Sequence, residues 1–279
     1  MIAACVKWTD LRPEIDQLHG SVEQANHGAG FSEPDRAAVE VALRLGAARD
    51  AAVTVVCVGP ADADDGLREL LAVGVDRVVR IEGDGTESSV DVATRLAVLL
   101  RDEASDTADL LVVCGDLSAD RGSGSVPAFL AHELGAAQAL GLIEVDTATA
   151  PLQALRRLDG GRRERLGVPT PAVISVEGAV ADLRRAPLAA LLRTGGATVE
   201  VRPARSRRFT EAPRLRPWRP RARVVPPPRG DTALERIVHL TGALVERTPP
   251  TAVELAPDEA ATAILDQLRV WGYLDPPDR

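Results

Sequence analysis

The sequence predicts an α/β fold: a doubly wound, mostly parallel sheet with helices on both faces. Three observations carry the prediction. Through the first 140 residues, apolar runs alternate with amphipathic segments. The apolar runs are continuous rather than alternating, as in strands buried on both faces. The chain of 279 residues is 45% hydrophobic but only 3% aromatic, so it can bury a sizeable core, one built from Ala, Val and Leu. Right-handed crossovers between such strands wind the sheet in both directions and place ligands beyond the strands' carboxyl ends, at the switch point.

The elements follow in order. IAACVKW (2–8) reads as a buried strand. PDRAAVEVALRLGAARD (34–50) is an amphipathic helix with Ala38, Val41, Ala42 and Leu45 on one face. AAVTVVCVGP (51–60) is a strand, ADDGLRELLAVGV (63–75) a helix and DRVVRIEG (76–83) a strand. SSVDVATRLAVLLRDEAS (88–105) is a helix that Ser88 or Ser89 caps. DLLVVCGD (109–116) is a strand, and SVPAFLAHELG (125–135) a helix with Ser125 as N-cap, Pro127 in its first turn and Gly135 at its end. The carboxyl ends predicted to meet are Val6, Lys7 and Trp8, the Val58-Gly59-Pro60 turn, and the loop GDLSADRGSGSVP (115–127).

Residues 141–201 read as short strands with a turn at Asp159-Gly160-Gly161, which extend the sheet or pack on its edge. Residues 202–229 hold ten arginines, seven prolines and one acid. Prolines forbid regular helix there and favour an extended path. Then come ERIVHLTGALV (235–245), a double proline and DEAATAILDQLRVWGYL (258–274), a terminal helix. The expected organisation is an α/β nucleotide-binding domain with a β-hairpin extension over 1–201, an Arg/Pro-rich arm over 202–234, and a partner-binding segment with a helix over 235–279.

Several function classes are disfavoured. A net charge of −8 speaks against a general nucleic-acid binder. No apolar run approaches the ~18–20 residues of a membrane span. The N-terminus lacks a basic leader and cleavage site, so the expected location is cytoplasmic. Cys5, Cys57 and Cys114 lie in separate apolar runs, as small buried thiols do, and no metal site is expected. His19, His27, His132 and His239 are scattered, with no nucleophile–His–acid set, so no catalytic residue is assigned.

The loop at 115–127 carries the chemistry. Gly122 and Gly124 allow close backbone approach, Ser123 and Ser125 offer hydroxyls, and the following helix N-terminus offers free N–H groups and partial positive charge. That suits a phosphate or pyrophosphate; an ordinary βα loop with a capped helix fits the same letters. Lys7, the sole lysine, either meets an anionic ligand or is a solvated strand end. The arginine arm binds nucleic acid, with Phe209 and Trp218 stacking, or wraps an acidic partner protein with Trp218 as anchor, or is a disordered linker. No Gly-Arg repeat or RNA-binding signature supports the first, so protein wrapping is expected.

Together these segments resemble the electron-transfer flavoprotein beta subunit family. Ala4-Cys5-Val6-Lys7 is similar to its opening A-V-K strand end, and AAVEVALRL (37–45) to its E-I-A-V-E-E-A-L-R-L helix. VGPADADDGLRELLAVGVDRVVRIE is the most specific match, to G-P-x-x-x-x-x-L-R-x-A-L-A-M-G-A-D-R-x-x-x-V. DGG (159–161), PAVISVEGAVADLRRAP (171–187) and LDQLRVWG follow the same plan over nearly the whole chain. The scarcity of lysine, the Arg/Pro arm and ADRGSGSVP look most like the branch associated with mycofactocin in actinobacteria.

The resemblance implies an adenine-nucleotide-hydrolase-like sheet and a beta subunit in a heterodimer. Its alpha subunit would hold most of the FAD site, while this chain binds AMP or a second FAD. Such a chain is an electron carrier subunit rather than a stand-alone enzyme. It would relay electrons from a dehydrogenase, here mycofactocin-linked, to the respiratory chain. By position, the cofactor site would use Cys5, Ser32, Asp35, Val58, Gly115, Asp120, Gly122, Ser123, Gly124, Ser125 and Val126. The chain departs from the family at several points. N-P-F becomes Ser32-Glu33-Pro34, and D-D-D-x-N-Q-T-G becomes the loop from Asp120 to Pro127, keeping only Asp120 and the loop's length and place. The family's tyrosine falls around Leu11 or Arg12, where no aromatic occupies the spot, and the docking segment at 187–194 lacks Tyr-Ala-Thr-Leu-Pro. The alternative is a stand-alone adenine-nucleotide-binding or sensing domain of universal-stress type.

Overall fold

A computed structural model describes the chain except residues 13, 17–21, 24–27, 105, 205–225, 243–251 and 275–279. It has two compact units, Met1–Trp218 and Arg219–Arg279. In chain order the first contains β1 (Ile2–Val6), four short strands β2 (Trp8–Asp10), β3 (Glu14–Ile15), β4 (Val22–Glu23) and β5 (Ala29–Phe31), then α1 (Glu33–Arg49), β6 (Val53–Gly59), α2 (Ala63–Ala72), β7 (Arg77–Glu82), α3 (Ser89–Glu103), β8 (Leu111–Gly115) and α4 (Ser125–Leu134). β9 (Ala137–Asp146), β10 (Leu152–Arg157), β11 (Arg163–Val168), β12 (Ala172–Val176), α5 (Leu188–Thr194) and β13 (Glu200–Arg202) complete it.

Nine strands form one sheet in the order β11-β10-β9-β12-β8-β1-β6-β7-β13. All neighbours from β9 to β13 pair in parallel, and only β10 is reversed, pairing antiparallel with both β9 and β11. From β1 the chain builds outward through β6 and β7, then returns to place β8 on the other side of β1. The switch point therefore lies between β1 and β8.

The two-residue strand period divides the core. Ile2, Ala4, Val6, Val55 and Cys57 pack against Ala38, Val41, Leu45 and Leu67 of α1 and α2. Ala3, Cys5, Val56, Val58 and Cys114 pack against Leu96, Leu100 and Leu130 of α3 and α4. The parallel sheet with helices on both faces is the architecture expected from the continuous apolar runs.

Local chemistry sets the ends. Ser32 caps α1 in a reciprocal box with Asp35, and Ser88 caps α3 through the Asp91 N–H. At α4 the N-cap is Gly124, at φ 58°, with no side-chain cap; Ser125 is the first helical residue, which corrects the expected Ser125 cap. Gly135 ends α4 at φ 63° as expected. The first strand stops at Val6 rather than continuing to Trp8. The chain breaks at Lys7 and pairs Trp8 with Phe31 across the β2–β5 ribbon, ring centroids 5.1 Å apart and edge-on. Gly66 of α2 passes against the Trp8 ring, where a Cβ has no room.

The segment after residue 141 extends the sheet: β10 and β11 form a hairpin turning at Asp159–Gly161, with Gly160 and Gly161 at φ 70° and 74°. At the opposite edge β13 pairs with β7, and Arg77 ties both to α3 through Glu103 (2.7 and 2.8 Å) and Glu200 (2.5 and 2.8 Å). Arg202, first residue of the Arg/Pro arm, closes β13; most of that arm lies outside the described residues. The second unit contains α6 (Ala233–Thr241), capped by Thr232 and Gly242, and α7 (Pro257–Val270). Gly242, at φ 63°, ends α6, and α7 ends four residues before the expected 274. Among the described residues no helix is long and apolar enough to cross a membrane.

Candidate functional site

A cleft opens beyond the carboxyl ends of β1, β6 and β8, at the switch point. Cys5, Val58, Cys114 and Leu96 give it an apolar floor. Of the residues proposed from sequence, Cys5, Asp35, Val58, Gly115, Ser123, Gly124, Ser125 and Val126 line it. Ser32 sits behind Asp35 as its capping partner, Asp120 stands beside the cleft as the partner of Lys7, and Gly122 lies in the loop without facing it. Trp8 is turned away to Phe31 and Gly66.

Close backbone contacts shape the cleft. A Cβ on Gly115 would lie 2.9 Å from Pro34 Cβ and 3.0 Å from Asp35 N, so the strand end and the start of α1 require glycine. A Cβ on Gly124 would lie 2.6 Å from the Asp116 carbonyl oxygen, at a φ of 58° that already favours glycine. Three helices bring N-terminal residues to the cleft: Asp35 of α1, Ser89 of α3 and Ser125 of α4. In α1 and α3 a serine cap occupies one first-turn N–H, whereas α4 has no side-chain cap, so the Ser125 and Val126 N–H groups at its start are open to a ligand. The Ser123 and Ser125 hydroxyls lie 3.0 Å apart beside it.

Charge is arranged unevenly. Lys7 Nζ donates to both Asp120 oxygens at 2.7 and 2.5 Å. Burial opposes ionisation of Asp120, but the bonds from Lys7 and Ser118 hold its carboxyl below the usual carboxylate range. Burial pushes Asp35 up to about 6, against the opposing bonds from Ser32 and Lys7. Asp116 is also raised, by burial and then by the Glu177 charge, although the Leu117 N–H favours its charged form; its buried Oδ1 has no hydrogen-bond partner. Cys114 is raised by its contact with Cys5 and by burial, and Cys57 is pushed up to about 12 by burial. Both thiols stay protonated near neutral pH, poor nucleophiles and poor metal ligands.

The β7–α3 wall was not foreseen from sequence. Gly85, Glu87, Ser89 and Val92 line the cleft from that side. Glu87 holds its loop by accepting from Asp84 N and Gly85 N at 3.0 Å each, and pairs with buried Arg95 at 2.8 Å. Arg121 reaches across to the same loop, donating to Glu87 O at 2.6 Å and Gly85 O at 3.4 Å. The available signal was positional: in a parallel sheet every βα loop opens at the carboxyl edge, so the Glu87-Ser88-Ser89 start of α3 belongs there too.

Fit to a nucleotide is testable on these residues. An uncapped helix start, two hydroxyls and a glycine cradle suit a phosphate. The Asp116 carboxyl at the cleft wall can accept from a sugar hydroxyl or an amino group. The apolar floor suits a flat ring. The residues present therefore fit a nucleoside phosphate.

Fold and cleft define a doubly wound α/β protein with a phosphate-type ligand cleft at its switch point. An electron transfer flavoprotein domain matches residues 20–206. The electron transfer flavoprotein subunit beta of Syntrophomonas wolfei is 30% identical over 178 residues, 62% of this chain and 68% of that protein. The corresponding subunit of Bradyrhizobium diazoefficiens is 31% identical over 157 residues (56% and 61%), and that of Mycobacterium tuberculosis 33% over 153 residues (53% and 57%). The chain thus spans under two thirds of the length of the latter two. It belongs to the electron transfer flavoprotein family, with beta subunits as its relatives, and this disfavours the universal-stress alternative.

Proposed function

We propose that this chain is the beta subunit of a heterodimeric electron-transfer flavoprotein. It pairs with an alpha subunit that holds most of the FAD site, and binds AMP or a second FAD in its own cleft. It serves as a cytoplasmic electron carrier between a dehydrogenase, here mycofactocin-linked, and the respiratory chain. The observation that carries this reading is the cleft at the switch point of a chain with beta-subunit relatives. When bound, flavin supplies the redox chemistry. The protein's own residues bind, orient and exclude water. The α4 N–H groups and the Ser123 and Ser125 hydroxyls receive phosphate oxygens, Asp116 accepts from a sugar hydroxyl or amino group, and Cys5, Val58 and Leu96 cover the ring.

Two exposed apolar surfaces support the partner half of the reading. On α6, Leu234, Ile237 and Leu240 recur every three residues and remain 70, 56 and 61% exposed. On α5, where the family carries its docking segment, Leu188 and Leu192 are the most exposed leucines among the described residues of the first unit. The first surface suits the alpha subunit, and the second suits a dehydrogenase. The nucleotide half is tested by co-expressing the chain with an alpha-type subunit, heating the purified complex and identifying released nucleotides by mass. AMP, or FAD in excess of one per heterodimer, is expected; release of no nucleotide from this chain's cleft refutes that half.

A further inference from the structure

We infer that Arg121 is the counter-charge for the ligand's phosphate, making this cleft select phosphorylated over unphosphorylated nucleosides. The inference rests on the nucleotide reading above and concerns a residue where the family's acidic loop has no arginine.

Two cations line the cleft, Lys7 and Arg121. Lys7 is neutralised by Asp120, with both carboxylate oxygens engaged. Arg121 is bonded to two backbone carbonyls, Glu87 O and Gly85 O, and among the described residues no acid forms a salt bridge with it. Carbonyls orient a guanidinium without cancelling its charge. They use two of its five N–H donors, leaving others for a ligand.

The remaining charges make that cation necessary. Glu87 is neutralised by Arg95, but Asp116 and Asp35 line the same cleft and their carboxylates would repel a phosphate. The loop offers neutral hydroxyls, and the α4 N-terminus contributes a partial charge of only roughly half a unit. Arg121 is the lining cation left uncompensated. Its side chain also spans both walls, from the β8–α4 loop to the β7–α3 loop, so a phosphate held there engages a side chain already fixed in place.

The competing account makes Arg121 a clamp between two loops with no ligand role. Equilibrium binding of AMP and of adenosine to the full chain separates them, using wild type, Arg121→Gln and Arg121→Lys. Loss of one charge-assisted contact predicts AMP affinity about tenfold weaker in Arg121→Gln, with adenosine affinity changed by less than about twofold. Arg121→Lys should restore part of the AMP affinity, since it keeps the charge but loses the fork. Equal weakening of AMP and adenosine, or no weakening of either, overturns the assignment. If wild type binds neither compound and the heated heterodimer releases no FAD beyond one per complex, the nucleotide reading itself fails and the assignment falls with it. A wild type that binds AMP while Arg121→Gln binds it equally well refutes Arg121 alone.

Discussion

Asp35 couples the start of α1 to the cleft, and its burial has a consequence in pH. The folded carboxyl titrates near 6, against an ordinary value of 3.8. Between those values the folded state holds a proton that the unfolded state lacks. Stability therefore falls as pH rises through this window, by up to about 3 kcal/mol. Asp35→Asn removes the term: urea unfolding should give similar stabilities at about pH 4 and a more stable variant at about pH 8. A difference independent of pH contradicts the burial argument. Gly124 makes a second residue-scale prediction. Gly124→Val meets both a positive φ and the Asp116 carbonyl, so it should cost about 1–3 kcal/mol in a thermal melt and empty the cleft of nucleotide. If nucleotide content survives, the loop is not the phosphate site. Gly124 and the serines were legible because glycine and hydroxyl residues before a helix have a local meaning. Lys7–Asp120 was not, because its partners are 113 residues apart and no local pattern records such a pairing. The same holds for Arg121, whose partners are carbonyls 34 and 36 residues away.

At the scale of elements, two of the stretches that carry the family resemblance are joined by one buried acid. Glu40 of α1 accepts from Arg184 Nε at 2.9 Å, Arg184 Nη2 at 3.0 Å and Arg44 Nε at 2.9 Å. Burial alone would raise its carboxyl, but the bonds from Arg184 and Arg44 and the Arg184 charge hold it below the ordinary 4.5. Its stabilising contribution is present above that value and fades as pH falls through the folded range. Arg184→Ala leaves Glu40 with Arg44 alone. Because Arg184 is itself half-exposed, the expected cost is moderate, about 2 kcal/mol, or a melting temperature lower by about 4–8 °C. No change in melting temperature would show the pair to be dispensable. The main strands and helices were legible to within a few residues, since apolar period and capping residues are local signals. The hairpin was legible through Asp159-Gly160-Gly161, but its attachment was not: pairing of β10 with β9 decides that it extends the sheet. The β2–β5 ribbon was missed because a break at Lys7, inside an apolar-looking run, has no glycine or proline to mark it.

For the whole molecule, the family match and the cleft support a subunit whose remaining apolar surface is meant for other chains. The arm and the second unit carry that expectation. Deleting 203–229 should abolish co-purification with an alpha-type subunit while the separate α/β unit keeps its nucleotide; unchanged heterodimer formation would remove the arm from the interface. The family is legible in the sequence because its motifs recur in order along the chain, and the sheet topology brings the strand-end motifs to one edge. The partner surfaces were less legible, since an exposed leucine on α6 and a buried one on α3 are the same letter until the fold separates them. The central claim is tested most directly by the visible spectrum of the chain purified alone and with an alpha-type subunit. The account predicts flavin absorbance that appears or rises when the chain is co-purified as a heterodimer, the chain alone carrying at most the flavin of its own cleft. A colourless monomer that ignores the alpha subunit and binds ATP would contradict it.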